Sequence, residues 1–552
     1  MHEDEHWAPM GAPPSSSRQF DRQSLLARAA ALGLTGAAAT AFADALTPAA
    51  FAEEAKAAAG GGGTLRFRLE TDISNLDPAF FPAEADEVVT GCIHEGLVTF
   101  KPGTFDVVNC LAETFTPSKD GLTFKFKLKQ GVQFHGGYGE VTAEDVKYSY
   151  ERIAGITKPN IHSPYSGDWA TLKEVKVTGK YTGTIILKKK FAPLLHSTLP
   201  AGSGLVLSKK ALLKLGNKGI SVHPIGTGPY VFTKWTPKQK VVLTRNPDYA
   251  GSNKAYVKGK TFDTLEFLPI DDDSAAETGV RAGDIDFSRI SNGSVDRFKK
   301  ISNLKMYENA SLDYYFITMN VQDKVLKDIR LRQAIRLAVD VPSIIAAAYD
   351  DKWEQAYGII PKSMGLGYWK DAPKYKRDVD AAKKLVAAAG ADGISLRLAV
   401  LNAEQDKTAA QVIQSNLKDI GITVDLIVQD SATMFAIPGN GGDGKKRQLI
   451  YGNYVSQPDP SWSTVWWTCA QMGVWNWDNW CSKPFSSLHD RALVETSDAK
   501  RQSMYVQMQK LWDKEAGMVW IAYPTYFSVG KSNLKPTIRP DGHRLAYSFT
   551  TV

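Results

Sequence analysis

Polar and apolar residues alternate over Thr64–Glu70 (TLRFRLE) and over Leu122–Lys129 (LTFKFKLK), the two-residue period of a strand with one buried face. Shorter strands are expected at Thr184–Leu187, Val241–Arg245 and Phe262–Leu268, and Ser311–Val321 is a long apolar run read as a strand crossing between lobes. Elsewhere the apolar residues recur at helical spacing. Asp328–Val339 (DIRLRQAIRLAV), Asp378–Ala389 and Lys500–Glu515 are predicted helices, the last followed by a strand at Met518–Ala522. Thr142 is placed to cap the helix AEDVKYSYERI, with Asp145 at its third position. Asp271-Asp272-Asp273 opens a helix over Ser274–Arg281, where negative charge complements the dipole. Ser395–Gln429 reads strand, helix, strand, the order of a parallel βαβ unit. Strands and helices alternate, with hairpins between them, which predicts a mixed α/β chain.

The chain has 552 residues, more than one core holds, so at least two lobes are expected. Residues 1–52 read as a signal peptide. Arg18, Arg22 and Arg28 precede a small apolar stretch, Ala29–Phe42, too short to span a bilayer, and Ala50-Phe51-Ala52 supplies the cleavage pattern. Cleavage is expected after Ala52, with 53–63 as a flexible leader. Ser17–Leu26 resembles a twin-arginine signal but has Gln23 in place of the second Arg, so the Sec route stays open. The first Cys is Cys92, which leaves no basis for a lipidated N-terminus.

A net charge of +7 over the whole chain is too dilute for a nucleic-acid surface. Enzyme motifs also fail on inspection. His135 sits in a Gly turn without partners for a triad, His94-Glu95 lacks the second His of a zinc site, and Gly226-Thr227-Gly228-Pro229 lacks the Lys of a phosphate loop. No metal and no cofactor is expected. The four cysteines, Cys92, Cys110, Cys469 and Cys481, allow three pairings. An exported chain favours a disulfide at Cys469–Cys481 and leaves Cys92–Cys110 open. Six of the 13 Trp fall between Trp462 and Trp480. Such a cluster either packs a core or lines a cleft that stacks on a ligand.

Several motifs converge on one family. Leu76-Asp77-Pro78, Ile93–Phe100 (IHEGLVTF), Asp120–Phe126 with Gly131–Gly137 (GVQFHGG), and Thr142–Ser149 (TAEDVKYS) resemble the large dipeptide- and oligopeptide-binding proteins of ABC importers, the bacterial extracellular solute-binding family 5. Pro224–Tyr230 (PIGTGPY), Arg245–Tyr249 (RNPDY), Asp328–Ile335 and the pair Cys469 and Cys481 with Ser482–Phe485 continue the likeness along the mature chain. The resemblance implies a two-lobed periplasmic-binding-protein clamp of α/β type, with an extra subdomain. Lobe I with that subdomain would take 64–312, lobe II 313–519, and 520–552 would return to lobe I. The lobes would close on a ligand about crossings near Asp313–Asn320 and Trp520–Thr525. The protein would be a periplasmic monomer handing a peptide-like solute to a membrane permease, with no catalysis and no nucleic acid partner.

The resemblance does not carry over the charged anchors of an ordinary peptide. The family's Asp, three residues before a "DP" pair, is Ser456 here, and the Trp that starts the segment is Asn453. The loop after Leu401 has no Arg for a carboxylate. Asp459, Glu404 or Asp406 would then take an ammonium, or the ligand is not an ordinary zwitterionic peptide. The candidate ligand set is Asp72, Asn453, Ser456, Asp459, Trp462, Trp466, Trp475 and Trp477. The alternatives are a sugar, an opine-like conjugate or an organic cation on the Trp cluster, and, from another class, a secreted hydrolase.

Overall fold

The strand Thr64–Leu69 forms where the alternation places it, but it lies at the middle of a sheet, and Leu65, Phe67, Leu69 and also Arg68 are fully buried. A guanidinium with both sides covered must find partners inside the protein. Arg68 donates to the carbonyls of Ile270 and Arg289 and pairs with Asp273. The structure, a computed structural model, describes residues 62–80, 83–249, 261–436 and 447–552. The expected signal segment, its cleavage after Ala52 and most of the leader fall outside the described residues.

That first sheet has seven strands, in the order Tyr230–Thr236, Lys240–Arg245, Thr264–Pro269, Thr64–Leu69, Phe287–Ile290, Thr525–Lys531 and Leu304–Ala310. Thr64–Leu69 runs parallel to Thr264–Pro269, with Thr64 opposite Thr264. The strand expected at Phe262–Leu268 therefore starts two residues later. A second sheet has six strands, in the order Glu354–Gln355, Met518–Tyr523, Tyr314–Met319, Leu449–Tyr454, Ser395–Leu401 and Thr423–Gln429. Its last two strands are parallel and joined by the helix Glu404–Lys418, as the strand-helix-strand pattern predicts. A four-stranded antiparallel sheet, Ala112–Pro117, Thr123–Leu128, Thr182–Leu187 and Leu172–Gly179, makes a third body with its own core.

The run Ser311–Val321 holds one strand, Tyr314–Met319, with the passage between the sheets at its start. Leu304–Ala310 belongs to the first sheet and Tyr314–Met319 to the second, and the chain passes between them at Ser311–Asp313. The return passage is alongside: Met518–Tyr523 lies in the second sheet, Thr525–Lys531 in the first, and Pro524 stands between. The Ser311 N–H donates to the Pro524 carbonyl at 2.9 Å, so the two crossings are tied side by side. Proline has no N–H to give to a ladder, which suits a place where both sheets end.

Helix starts follow the polar residues singled out. The Asp145 carboxylate accepts from the N–H and hydroxyl of Thr142, Asp378 accepts from the Ala381 N–H, and Asp272 caps the helix Asp273–Ala282. Ser482 caps Lys483–Val494, with a Pro in its first turn. Just before that cap, Cys481 is bonded to Cys469. Replacing both by Ser is expected to cost about 3 kcal/mol, the chain-entropy value for a short loop, read from urea midpoints. Cys92 and Cys110 are both buried and are not disulfide-bonded. Burial pushes the Cys92 thiol up, and it donates to the Val88 carbonyl.

Candidate functional site

The sequence motifs that looked reactive meet in one place, and there they hold architecture. Thr227 and Tyr249 donate to the two oxygens of Glu95, at 2.9 and 2.8 Å. His135 donates through Nε2 to the Gly228 carbonyl at 3.0 Å, and the Asn246 amide reaches the same carbonyl. Gly226 and Gly228 press on the end of the helix Glu84–Ile93. A Cβ on Gly226 would lie 1.9 Å from the Ile93 carbonyl oxygen, so only glycine fits. Burial drives His135 below its ordinary pKa and His94 down to about 3, so both stay neutral. Asp77 of the Leu-Asp-Pro motif likewise forms a buried pair with Arg152.

Beside this knot, where the two crossings meet, lies a cavity of about 450 Å³. Helix Glu84–Ile93 presents Glu84 and Glu87 to it. The passage between sheets contributes Leu312 and Asp313, and the segment after Leu449–Tyr454 contributes Val455–Pro458. The opposite wall comes from Asp168 and Ser203 of the third body, and the floor from Arg289, Tyr526 and the C-terminal Arg539, Asp541 and His543.

Most of the charges on this wall are matched within the protein. Arg289 binds Glu84 through two nitrogens, at 2.7 and 2.9 Å, and its guanidinium stacks 4.2 Å from the Tyr526 ring. Arg544 bridges Glu84 and Glu70. Burial by itself would raise Glu84, but Arg289 and Arg544 outweigh it and hold the carboxyl at about 2. Arg539 grips Asp541. Two carboxylates differ. Asp313 is 7% exposed and accepts only neutral donors, the Ser456 N–H at 3.1 Å and the Tyr526 hydroxyl at 2.7 Å. Asp168 accepts from the Ser203 hydroxyl at 2.9 Å. Burial raises each to about 6.

A carboxyl raised in the folded state destabilises the fold when ionised, and the cost disappears as pH falls through the raised value. Asp313→Asn is therefore expected to stabilise the ligand-free protein by about 2 kcal/mol at pH 7, with the gain vanishing towards pH 4. The amide can still accept from the Ser456 N–H and donate to Tyr526. Urea midpoints of the two proteins across that pH range provide the check.

The residues expected from the sequence are scattered. Ser456 lines the cavity, though its hydroxyl is turned to Ser463 and only its N–H serves Asp313. Asn453 is half-buried in a strand opposite Tyr315. Asp72 ties a loop, accepting from the Trp235 indole and the Lys238 N–H, and is not on the wall. Asp459 must be corrected: it is fully buried, and Arg501 takes both of its oxygens, at 2.9 and 2.7 Å. Glu404 is exposed beside Lys407, and Asp406 is buried under the Tyr349 hydroxyl. Neither reaches the cavity.

None of the Trp cluster lines this cavity. Trp477 is 5% exposed and packs 4.8 Å from Tyr454 and 5.7 Å from Phe435, ring centre to ring centre. Trp462, Trp466 and Trp475 make edge contacts with one another and stay half-buried. Sequence reasoning passed over Asp168, Asp313, Arg289 and Arg539. A signal existed for Asp313, a lone carboxylate inside an apolar run. For the others only the fold brings them together.

The profile of the bacterial extracellular solute-binding proteins, family 5 Middle, matches residues 106–474. The dipeptide-binding protein of Escherichia coli (strain K12) is 26% identical over 470 residues, covering 80% of this chain and 86% of the relative. Di/tripeptide-binding protein 4 of Pseudomonas aeruginosa is 28% identical over 462 residues, with 80% and 85% covered. Among solved structures, the periplasmic binding protein DppA from Helicobacter pylori, in complex with the peptide STSA, superposes with a TM-score of 0.74 at 25% identity, covering 89% of this chain and 98% of that one. The fold is the two-lobed periplasmic-binding-protein clamp, and no helix among the described residues is long and apolar enough to cross a membrane. With the profile matched across two thirds of its length, this chain belongs to family 5 of the bacterial extracellular solute-binding proteins.

Proposed function

We propose that this protein is the solute-binding component of an ABC importer, which captures a peptide-like small molecule and delivers it to a membrane permease. The observation that carries the reading is the cavity at the paired crossings. Its volume of about 450 Å³ lies in the range of small-molecule sites, and its wall is charged. The relatives named for dipeptides, di/tripeptides and a bound tetrapeptide support a peptide ligand. The seven-stranded sheet and the third body form lobe I (64–312), the six-stranded sheet lobe II, and the chain returns to lobe I at Pro524 rather than at 520, because Met518–Tyr523 belongs to the six-stranded sheet.

Ser311–Asp313 and Pro524 act as the hinge. Contacts between the two lobes fit a closed clamp: Lys352 pairs with Asp296 at 3.2 Å, and the Ala192 N–H donates to the Leu493 carbonyl at 2.7 Å. Ligand that prefers this closed state shifts the equilibrium towards it, and closure is what the permease reads. The protein works in the periplasm as a monomer after cleavage behind Ala52, which N-terminal sequencing of the exported form tests.

Native mass spectrometry of the mature protein is expected to show a co-purified small molecule of peptide mass. A ligand at 100 times its dissociation constant adds about 2.7 kcal/mol of stability. If no di- or tripeptide in a thermal-shift screen moves the midpoint, the peptide reading is wrong. The stacking alternative has no support, because the Trp residues do not reach the cavity.

A further inference from the structure

The cavity wall carries more negative charge than the protein itself matches. Glu84, Glu87, Asp168, Asp313 and Asp541 line it, against Arg289 and Arg539. Arg289 is committed to Glu84 and Arg539 to Asp541. Among the described residues Glu87 has only Arg539 and His543 as basic partners, each at 3.9 Å, and burial keeps His543 below its ordinary pKa and so mostly uncharged. Asp168 and Asp313 pair with no Lys or Arg among the described residues. A buried carboxylate without a cation is expensive unless something else brings the charge.

We infer that the cavity is built for a ligand of net positive charge, a short peptide carrying a basic residue, whose ammonium group sits on Asp313. This deepens the peptide reading and rests on it. Asp313 is the better placed of the two acids. Its oxygens are aimed by Ser456, from the segment after the second-sheet strand Leu449–Tyr454, and by Tyr526, from the first-sheet strand after Pro524, so a cation there touches both sides of the hinge and favours closure. A ligand carboxylate finds no uncommitted Arg on this wall, so an acidic peptide gains nothing to offset Asp313 and Asp168.

The test is calorimetric titration of the mature protein, stripped of ligand, with Lys-Ala, Ala-Ala, Glu-Ala and 1,5-diaminopentane. The expected order is Lys-Ala, then Ala-Ala, then Glu-Ala, with Lys-Ala at least about 10-fold tighter than Glu-Ala. Asp313→Asn is expected to weaken Lys-Ala by about 30-fold or more, because one partner of a desolvated charge pair is gone. Its melting curve shows separately that the variant is folded.

A second measurement needs no variant. Lys-Ala affinity is expected to fall as pH drops below about 6, where binding must first remove a proton from Asp313. The charged and titrating groups around Asp313 are Glu84, Arg289 and Tyr526, with Asp168, Glu87, Arg539, Asp541 and His543 across the cavity. Of these, Asp168 titrates in the same range, and Asp168→Asn separates the two.

Equal affinity for Lys-Ala and Glu-Ala would overturn the charge inference and leave peptide capture standing. Loss in Asp168→Asn with none in Asp313→Asn would overturn the assignment to Asp313. Binding of 1,5-diaminopentane with no peptide bound would overturn the peptide reading while the cation site stands. Binding of none of the four would overturn both.

Discussion

Asp459→Ala is expected to lower the unfolding free energy by about 3–5 kcal/mol, the loss typical when one partner of a buried ion pair is removed. Both side chains are fully shielded from solvent, and Arg501 would be left as an uncompensated buried charge. Denaturant midpoints measure the effect. The double replacement Asp459→Leu with Arg501→Met should recover much of the loss, because it removes the stranded charge as well. Ligand affinity, corrected for the unfolded fraction, should change little in either protein. A specific loss of binding in a fully folded Asp459→Ala protein would contradict the structural role.

Trp477→Ala is the second large effect. Its ring fills the space between Tyr454, Phe316 and Phe435 and lies against Gly452. Removing a buried aromatic ring of this size costs about 3–5 kcal/mol in transfer and cavity terms. The expected signature is a lower urea midpoint with unchanged affinity for the bound solute. If affinity falls while stability holds, Trp477 faces the ligand and the cavity described above is not the whole site.

These two residues mark where sequence reasoning loses its hold. Asp459 and the Trp cluster stood out by residue type. A carboxylate and an aromatic ring, however, serve a core as readily as a cleft, and their type does not say which side of a strand faces the ligand. Arg501 lies 42 residues beyond Asp459, and no local pattern announces that pairing. Asp313 shows the converse. It sat inside an apolar run read as a strand crossing between lobes, and its importance appears only when folding brings Ser456 and Tyr526 onto its carboxylate. The motifs Leu-Asp-Pro, Ile-His-Glu-Gly and Gly-Thr-Gly-Pro carried the family correctly. Their chemistry is structural, for Glu95 holds Thr227 and Tyr249 while Asp77 holds Arg152.

The sequence by itself determined the α/β class, the helices with their caps, the parallel strand-helix-strand unit, the Cys469–Cys481 pair and membership of the binding-protein family. These rest on periodicity, on capping within three or four residues, or on motifs read in order, and all of that is local information. Only the tertiary structure decided where the cavity lies and which charges face it. Glu84, Asp168, Arg289, Asp313 and Arg539 come from five segments spread over most of the chain. Which of their charges are already matched depends on distances that folding alone creates, since a guanidinium held by a carboxylate at 2.7 Å is no longer available to a ligand.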